Sequence, residues 1–377
     1  MKEIGAPKTA ISGPAPIRVL VVDDSHVIRG LLSRSLGSDP GIKVVATASN
    51  GKVAIDEVGR SEIDVVVLDI EMPVMDGMTA LPQLLAARPG IQVIMASTLT
   101  LKGASISLKA LSKGAADYVP KPTSTGEINS AEDFKRELIS KVKSWGVVAR
   151  RRRGGARPGA EAAASAARRY PASPIKLREA PSLFRPDCIA VGSSTGGPQA
   201  LFKVFQMMGQ VTSLPMFVTQ HMPATFTTIL AEHLGQASGM PAAEAKDGEP
   251  VMPGRIYVAP GDFHMTVQAE AGRKVLRLDK NPPENFCRPA VDPMLRSLAK
   301  AYGGRVLTLI LTGMGQDGLR GGQEISAAGG VIAAQDEATS VVWGMPGAVA
   351  SAGLCSAVLP LSDIGPYVRK AISRMAA

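Results

Sequence analysis

A serine between glycines stands where the chain could carry out acyl-transfer chemistry. The segment GSSTG at residues 192–196 has the G-x-S-x-G spacing of a nucleophile elbow centred on Ser194. Glycines permit the sharp turn, and the helix that follows would offer N–H groups to a developing oxyanion. The motif alone is weak evidence, because a glycine-rich turn also binds phosphate or simply packs closely. Ser194 is therefore a candidate nucleophile.

Two further side chains could complete such a site. His221 follows an apolar run that ends at Thr219, and Asp317 follows one that ends at Leu311. In acyl transfer a histidine takes the serine proton and a carboxylate stabilises the imidazolium. Each residue alone also has an ordinary interpretation, since a single histidine is often structural and such an aspartate often caps a helix. The chain order Ser, His, Asp disfavours the α/β-hydrolase fold, whose order is Ser, Asp, His.

A second group of chemically capable residues lies near the N-terminus. Asp23 and Asp24 follow the first apolar run, Asp69 ends the third, and Ser97 and Lys121 follow the fourth and fifth. If the runs are parallel strands, these groups meet at one edge of a sheet, where three carboxylates favour a hard cation such as Mg²⁺. A carboxylate beside Mg²⁺ can attack phosphorus, and a lysine can hold a phosphoryl oxygen. A single one of these aspartates would be read as a helix N-cap.

Strand-like and helix-like segments alternate along the chain and would hold these groups in place. In the first part, apolar runs without polar alternation predict five buried parallel strands, separated by helix-length segments. We therefore predict a (βα)5 doubly wound domain over residues 17–146, with helices near 25–37, 51–59, 77–87, 103–114 and 130–146 and strands at 18–22, 44–46, 65–68, 93–95 and 118–119.

A second α/β series follows, and it predicts a doubly wound, mainly parallel domain over residues 187–377. The expected strands are 188–191, 216–219, 306–311 and 331–333, and the expected helices lie near 197–208, 224–236, 292–302 and 319–328. The section between Gly239 and Asp279 is richer in proline and glycine. We expect a hairpin insertion there, including a strand at 255–258.

Most of the net charge of +9 lies in the segment between the two domains. Ten basic and two acidic residues lie between Arg150 and Arg185, so the rest of the chain is close to neutral. We predict a flexible basic linker over residues 147–186, since it contains few large apolar side chains. Three cysteines at wide spacing favour neither disulfides nor zinc and suit a reducing cytoplasm. No apolar run is long enough for a membrane span, and we expect no secretion signal and no membrane insertion.

The first domain resembles the receiver domain of two-component response regulators. The matching segments are VVDDS at 21–25 and LDIEMPVMDG at 68–77, followed in order by Ser97 and the Lys-Pro pair at 121–122. The resemblance implies that a histidine kinase phosphorylates Asp69 and that Asp23, Asp24 and Asp69 hold Mg²⁺. It also implies that Ser97, Tyr118 and Lys121 respond to the phosphate.

The second domain resembles the catalytic domain of chemotaxis protein-glutamate methylesterases. The resemblance is carried by VGSSTGGP (191–198), QHMP (220–223), PGRIYVAPGDFHM (253–265), RPAVDPM (288–294), LTGMGQDG (311–318) and QDEATSVVWGMPGAV (335–349). It implies that Ser194, His221 and Asp317 are catalytic, without a cofactor. Met314 would support the site through its backbone N–H, and Thr195 would be a second oxyanion donor.

Together the resemblances imply a hydrolase that phosphorylation activates. Its substrates would be glutamate methyl esters of chemoreceptors, with release of methanol, and also receptor glutamines. We expect a monomer without nucleic-acid partners. Three alternatives are the same chemistry in a receptor pathway other than motility, a DNA-binding response regulator, and an esterase of small molecules. A near-neutral output domain without a helix-turn-helix signal argues against DNA binding.

Other reactive residue types have structural interpretations in the sequence. His264 has no evident partner, so we expect a structural role. We expect Cys188 and Cys287 to be core or near-core residues rather than nucleophiles, because no base lies near them in sequence.

Overall fold

The computed structural model describes residues 15–121, 128–153, 175–182, 184–210 and 213–373. The first half contains ten elements in strict alternation. They are β1 Ile17–Val22, α1 His26–Gly37, β2 Ile42–Ala48, α2 Gly51–Arg60, β3 Val65–Asp69, α3 Gly77–Ala87, β4 Gln92–Ser97, α4 Leu101–Ser112, β5 Asp117–Pro120 and α5 Ile128–Arg153. The sheet order is β2-β1-β3-β4-β5. The predicted (βα)5 fold is confirmed.

Polar side chains at the helix starts explain why each strand-to-helix connection stops where it does. Ser25, Asn50, Asp76 and Thr100 precede α1 to α4, and each side chain accepts a hydrogen bond from a backbone N–H in the first turn. Such a cap stabilises a helix by about 1 kcal/mol. Short, ordered loops therefore follow the carboxyl edge of the sheet, where Asp69 and Ser97 end their strands and Asp23 follows β1.

Helix α5 is longer than the sequence predicted. It ends at Arg153, so residues 147–153 are helical and the prediction that the linker begins at 147 is wrong for them. The reason is the buried carboxylate of Asp64, directly before β3. Its Oδ1 lies 2.9 Å from Arg153 Nη1, and its Oδ2 lies 3.3 Å from Arg150 Nη2. Part of the arginine run therefore has a structural role that composition could not reveal.

The remainder of the predicted linker is only partly described. Residues 154–174 and 183 lie outside the described residues, so flexibility stays a prediction for them. Arg178, within the predicted linker, is fixed on the second half. Its N–H donates to Cys355 O at 2.8 Å, and its guanidinium donates to Ser326 Oγ at 2.8 Å.

The second half is built on a seven-stranded parallel sheet. Its strands are β6 Cys188–Ser193, β7 Met216–Gln220, β8 Ala242–Glu244, β9 Ile256–Val258, β12 Val306–Ile310, β13 Val331–Gln335 and β14 Ala357–Leu359. Their order in the sheet is β14-β13-β12-β6-β7-β9-β8. Its helices are α6 Gly197–Met208, α7 Ala224–Ser238, α8 Val291–Tyr302, α9 Leu319–Ala327, α10 Met345–Ser351 and α11 Leu361–Ser373. The predicted mainly parallel α/β domain is confirmed.

The predicted hairpin insertion is present, but one strand assigned to it lies elsewhere. The hairpin consists of β10 His264–Glu270 and β11 Arg273–Asp279, paired antiparallel. Ile256–Val258, expected within the insertion, instead pairs in parallel with β7 in the main sheet. Its three residues are fully buried, which suits an internal strand. Among the described residues, every helix is too short or too polar to cross a membrane.

Candidate active site

The elbow that carries Ser194 is fixed by its backbone. Strand β6 ends at Ser193, and the N–H of Ser194 donates to Thr312 O at 3.0 Å, which ties it to the loop after β12. Gly196 turns the chain into α6 with φ of +75°, a conformation that favours glycine. A Cβ there would also lie 2.6 Å from the side chain of Val341. Ser194 is partly exposed at the carboxyl end of the sheet.

His221 lies directly beside this elbow. Its N–H donates to Ser193 O at 3.2 Å, as the last link between β7 and β6. Gln220 reinforces the junction, since its Nε2 donates to Ser194 O at 3.0 Å and to His221 O at 3.1 Å. The side-chain oxygen Oε1 of Gln220 accepts a hydrogen bond from Ser193 Oγ at 2.7 Å. Neighbouring parallel strands thus bring the candidate nucleophile and base to one edge.

Asp317 is buried behind His221 and accepts a dense set of hydrogen bonds. Its Oδ2 lies 2.7 Å from His221 Nε2 and accepts from Val291 N at 2.6 Å. Its Oδ1 accepts from the N–H groups of Asp292 and Gly318, each at 3.0 Å. Val291 and Asp292 begin α8, so Asp317 both orients the histidine and caps a helix, and the two interpretations of this residue are compatible.

Electrostatics assign the protons in this pair. Burial tends to raise the pKa of Asp317, but the hydrogen bonds from His221 and the backbone outweigh it and lower the pKa. With Asp317 ionised, Nε2 carries the shared proton. Burial tends to lower the pKa of His221, but Cys287 and Asp317 outweigh it and raise the pKa to about 10. In the neutral form of His221, Nδ1 is then the nitrogen that can take a proton from a nucleophile.

Sequence reasoning missed two polar residues that complete this network. Asp292, 1% exposed, accepts from Gly318 N at 3.0 Å and from Gly321 N at 2.7 Å. Burial and the neighbouring charge of Asp317 raise its pKa to about 6. Asn285 donates through Nδ2 to Asp292 at 3.1 Å and to Asp317 at 3.0 Å. A carboxylate at the start of a predicted helix, within RPAVDPM, was the available signal for Asp292.

Cys287, predicted to be a core or near-core residue rather than a nucleophile, is partly exposed and lies beside the candidate base. Its Sγ lies 3.3 Å from His221 Nδ1, although 66 residues separate the two in sequence. No hydrogen bond joins Ser194 Oγ to His221 within the part of the chain that the structure describes. Cys188 is fully buried, as expected. His264 is structural, since its Nε2 donates to Pro282 O and its Nδ1 accepts from Ala290 N, both at 3.2 Å.

The two candidate oxyanion donors occupy different environments. Thr195 is buried at the start of α6, and its carbonyl accepts from Thr312 Oγ1 at 3.0 Å. Met314 lies in the loop between β12 and Asp317 and its side chain is 41% exposed. Both lie on the loops that carry Ser194 and Asp317, and their oxyanion roles stay predictions.

The first half presents its own cluster at the carboxyl edge of its sheet. Oxygen atoms of Asp23, Asp24 and Asp69 lie within 4.8 Å of one another, with Asp24 exposed and the other two buried. Three carboxylates this close fit a hard divalent cation such as Mg²⁺. Ser97 ends β4 and Lys121 follows β5, and Lys121 N donates to Ser97 O at 2.6 Å.

Tyr118 lies within β5 and is 2% exposed. Its predicted response to phosphate, like those of Ser97 and Lys121, stays a prediction.

Comparison with known proteins agrees with this two-part organisation. The family model for the response regulator receiver domain matches residues 19–132, and the model for CheB methylesterase matches residues 189–368. The chain is 61% identical to a protein-glutamate methylesterase/protein-glutamine glutaminase of Azospirillum brasilense, over 98% of this chain and 96% of the relative. It is 57% identical to one from Rhodospirillum centenum, of the group 2 operon, over 98% of each chain.

A solved structure is similar to the second half. The catalytic domain of the Thermotoga maritima CheB methylesterase is 40% identical and covers 49% of this chain and 98% of its own, with a TM-score of 0.48. The full-length relatives decide against the DNA-binding alternative. The chain belongs to the protein-glutamate methylesterase/protein-glutamine glutaminase family, with an N-terminal receiver domain and a C-terminal CheB methylesterase domain.

Proposed function

We propose that the chain hydrolyses γ-methyl esters of glutamate residues on chemoreceptors and also deamidates receptor glutamines. The observation that carries the proposal is the contact of 2.7 Å between His221 Nε2 and Asp317 Oδ2 beside the Ser194 elbow. It orients an imidazole at the carboxyl edge of the sheet, so that Nδ1, which lies 3.3 Å from Cys287 Sγ, is the nitrogen that acts as base. Ser194, His221 and Asp317 then have the roles of an acyl-transfer triad.

The reaction proceeds in two halves. Ser194 Oγ attacks the ester carbonyl carbon and gives its proton to His221 Nδ1, while Asp317 stabilises the imidazolium. The C–O bond to the methoxy group breaks, and the proton on Nδ1 passes to the leaving group to form methanol. Water then attacks the acyl-enzyme with His221 again as base, which releases the glutamate carboxylate and restores Ser194. With a glutamine substrate the leaving group is ammonia.

The negative charge on the carbonyl oxygen requires donors near the elbow. The start of α6 supplies the positive end of a helix beside Ser194. We assign the backbone N–H of Met314 and the N–H or hydroxyl of Thr195 as the oxyanion donors. Each such donor contributes about 3–4 kcal/mol in comparable hydrolases.

The receiver domain controls this chemistry. Asp23, Asp24 and Asp69 would hold Mg²⁺, which when bound offsets negative charge around the phosphoryl oxygens. Asp69 accepts the phosphoryl group from a histidine kinase, and Ser97, Tyr118 and Lys121 respond to it. Phosphorylation shifts the population towards the active form, for which a bias of about 1–3 kcal/mol is enough.

The setting follows from the substrate. We place the enzyme in the cytoplasm, acting as a monomer on the signalling helices of chemoreceptors. The described helices include none able to span a membrane.

The test is methanol release from methylated chemoreceptor membranes, with and without acetyl phosphate and Mg²⁺. The wild type should release methanol faster with the phosphodonor. Ser194→Ala should lose nearly all release, whereas Ser351→Ala, an exposed serine at the end of α10, should match the wild type. Asp69→Ala should keep a basal rate that acetyl phosphate does not raise. Methanol release by Ser194→Ala at the wild-type rate would refute the proposal.

A further inference from the structure

The imidazole of His221 has two side-chain partners, one on each nitrogen. Nε2 faces Asp317 at 2.7 Å, and Nδ1 faces the sulphur of Cys287 at 3.3 Å. Cys287, His221 and Asp317 therefore form a thiol–imidazole–carboxylate series, which is the arrangement that activates thiol nucleophiles. The Cys287 sulphur therefore contacts the same nitrogen, Nδ1, that must take the proton of Ser194.

The position of Cys287 is built into a tight turn. Glu284 and Cys287 exchange two backbone hydrogen bonds, at 2.9 and 3.1 Å, and the two residues between them adopt φ of +53° and +64°. Arg296 anchors the turn through paired hydrogen bonds to Glu284, at 2.9 and 2.5 Å. Asn285, inside the turn, donates to Asp317. The same turn thus holds the thiol on one end of the His–Asp pair and an amide on the other.

The three cysteines are not equivalent. Cys188 and Cys355 are fully buried, and burial raises the pKa of both thiols, that of Cys355 to about 12. Such thiols form little thiolate and react slowly. Cys287 is partly exposed and touches an imidazole that can take its proton. The chain therefore contains its own unreactive controls.

We propose that Cys287 is a modification site for soft electrophiles and peroxides, and that its modification silences the catalytic base. In the first step the thiol proton moves to His221 Nδ1. With an alkyl halide the sulphur forms a bond to carbon and the halide leaves.

With hydrogen peroxide an S–O bond forms as the O–O bond breaks. The departing hydroxide takes the proton from the imidazolium, which gives a sulfenic acid and water. In both cases the group added to sulphur lies against Nδ1, where it blocks proton transfer from Ser194. The silencing rests on the proposed function, whereas the reactivity of Cys287 does not.

The first experiment measures reactivity in the full-length chain. Native protein is treated with iodoacetamide at pH 6.5, and each cysteine peptide is followed by mass spectrometry. An unperturbed thiol with a pKa of about 8.5 is only about 1% thiolate at this pH. Cys287 should react at least about 10-fold faster in the wild type than in His221→Gln, while Cys188 and Cys355 stay unmodified. His233→Gln, a histidine on α7, is the matched control and should react like the wild type.

The pH dependence of alkylation in the wild type provides a readout that does not depend on a variant folding. Activated Cys287 should keep its rate well below the pH at which a free thiol loses reactivity. Equal alkylation rates in the wild type and a folded His221→Gln, or a wild-type profile that falls like that of a free thiol, would overturn the activation.

The second experiment measures silencing. Methanol release is compared before and after treatment with iodoacetamide or hydrogen peroxide, each protein being normalised to its own untreated rate. The wild type should lose most of its activity in step with modification of Cys287, and Cys287→Ala should keep its own rate. Full activity after complete alkylation, or equal loss in Cys287→Ala, would overturn the silencing. An untreated wild type that releases no methanol would refute the proposed function and the silencing, while the alkylation experiment still decides the reactivity.

Discussion

Replacing Asp317 by asparagine tests how the His–Asp pair works. Oδ2 accepts from His221 and Val291, and Oδ1 accepts from Asn285 and two backbone N–H groups. All these partners donate, so the new NH₂ group must face donors wherever it is placed. If it replaces Oδ2, Nε2 of His221 must become the acceptor. Nδ1 then carries the ring proton and can no longer take the proton of Ser194.

The expected cost is large for catalysis and moderate for stability. A wrong tautomer of this kind lowers kcat by about 10⁴-fold in related triads. That corresponds to about 5.5 kcal/mol, at about 1.36 kcal/mol for each factor of ten. The buried N–H of Val291 would also lose its acceptor, which costs about 1–3 kcal/mol. The catalytic domain should therefore melt at a lower temperature, by about 2–4 °C for each kcal/mol.

The assay is methanol release by phosphorylated full-length protein, combined with thermal unfolding. Asp292→Asn is the matched control, because it removes a buried carboxylate in the same network that does not contact His221. Because the pKa of Asp292 is raised, a neutral side chain should disturb this position less than the position of Asp317. Asp292→Asn should lose far less activity. A folded Asp317→Asn with kcat within about 10-fold of the wild type would refute the orienting role of Asp317.

Three further predictions concern the base, the elbow and the metal cluster. Cys287→Ala should lower the pKa of His221, because the sulphur raises it. The neutral base then forms at lower pH, so the acid limb of the kcat/KM profile should shift to lower pH. Gly313→Ala should impair activity and cost about 1–3 kcal/mol of stability, since its Cβ would lie 2.9 Å from the Cβ of Ser194. Asp24→Asn should raise the Mg²⁺ concentration needed for half-maximal phosphorylation by acetyl phosphate.

Each of these predictions has a control within the chain. Cys355→Ala should leave the pH profile in place, because that thiol does not contact His221. Gly59→Ala, where a Cβ meets nothing within 4 Å, should not destabilise α2. Asp56→Asn, an exposed aspartate on α2, should leave the Mg²⁺ requirement unchanged. The first prediction is contradicted if the acid limb of Cys287→Ala stays in place or shifts to higher pH. The second is contradicted by a fully active Gly313→Ala, and the third by an unchanged Mg²⁺ requirement in Asp24→Asn.

The strand-end residues could be predicted from sequence because parallel strands place their carboxyl ends together. Apolar runs located β1, β3, β6, β7 and β12, and the polar residues after them had to meet at one edge of each sheet. Ser194, His221 and Asp317 could therefore be placed together without any knowledge of the loops. The short β9 was misassigned because three residues carry too little pattern to separate an internal strand from a hairpin.

The residues that were missed act through contacts that no local pattern encodes. Cys287 reaches His221 only because the turn at 284–287 folds back ahead of α8. Asp292 and Asn285 meet Asp317 across sequence separations of 25 and 32 residues. The extension of α5 depends in the same way on the buried carboxylate of Asp64, which attracts Arg150 and Arg153. Such pairings follow from tertiary packing and not from composition or periodicity.

Labelling of the full-length chain with a fluorophosphonate, which forms an adduct with an activated serine, tests most directly whether Ser194 is the nucleophile. The adduct is then located by peptide mass spectrometry. We expect a single adduct on Ser194 that disappears in His221→Gln and is strongly reduced in Asp317→Asn. An adduct on another serine, or labelling of Ser194 that is equally fast without His221, would contradict the Ser-His-Asp mechanism.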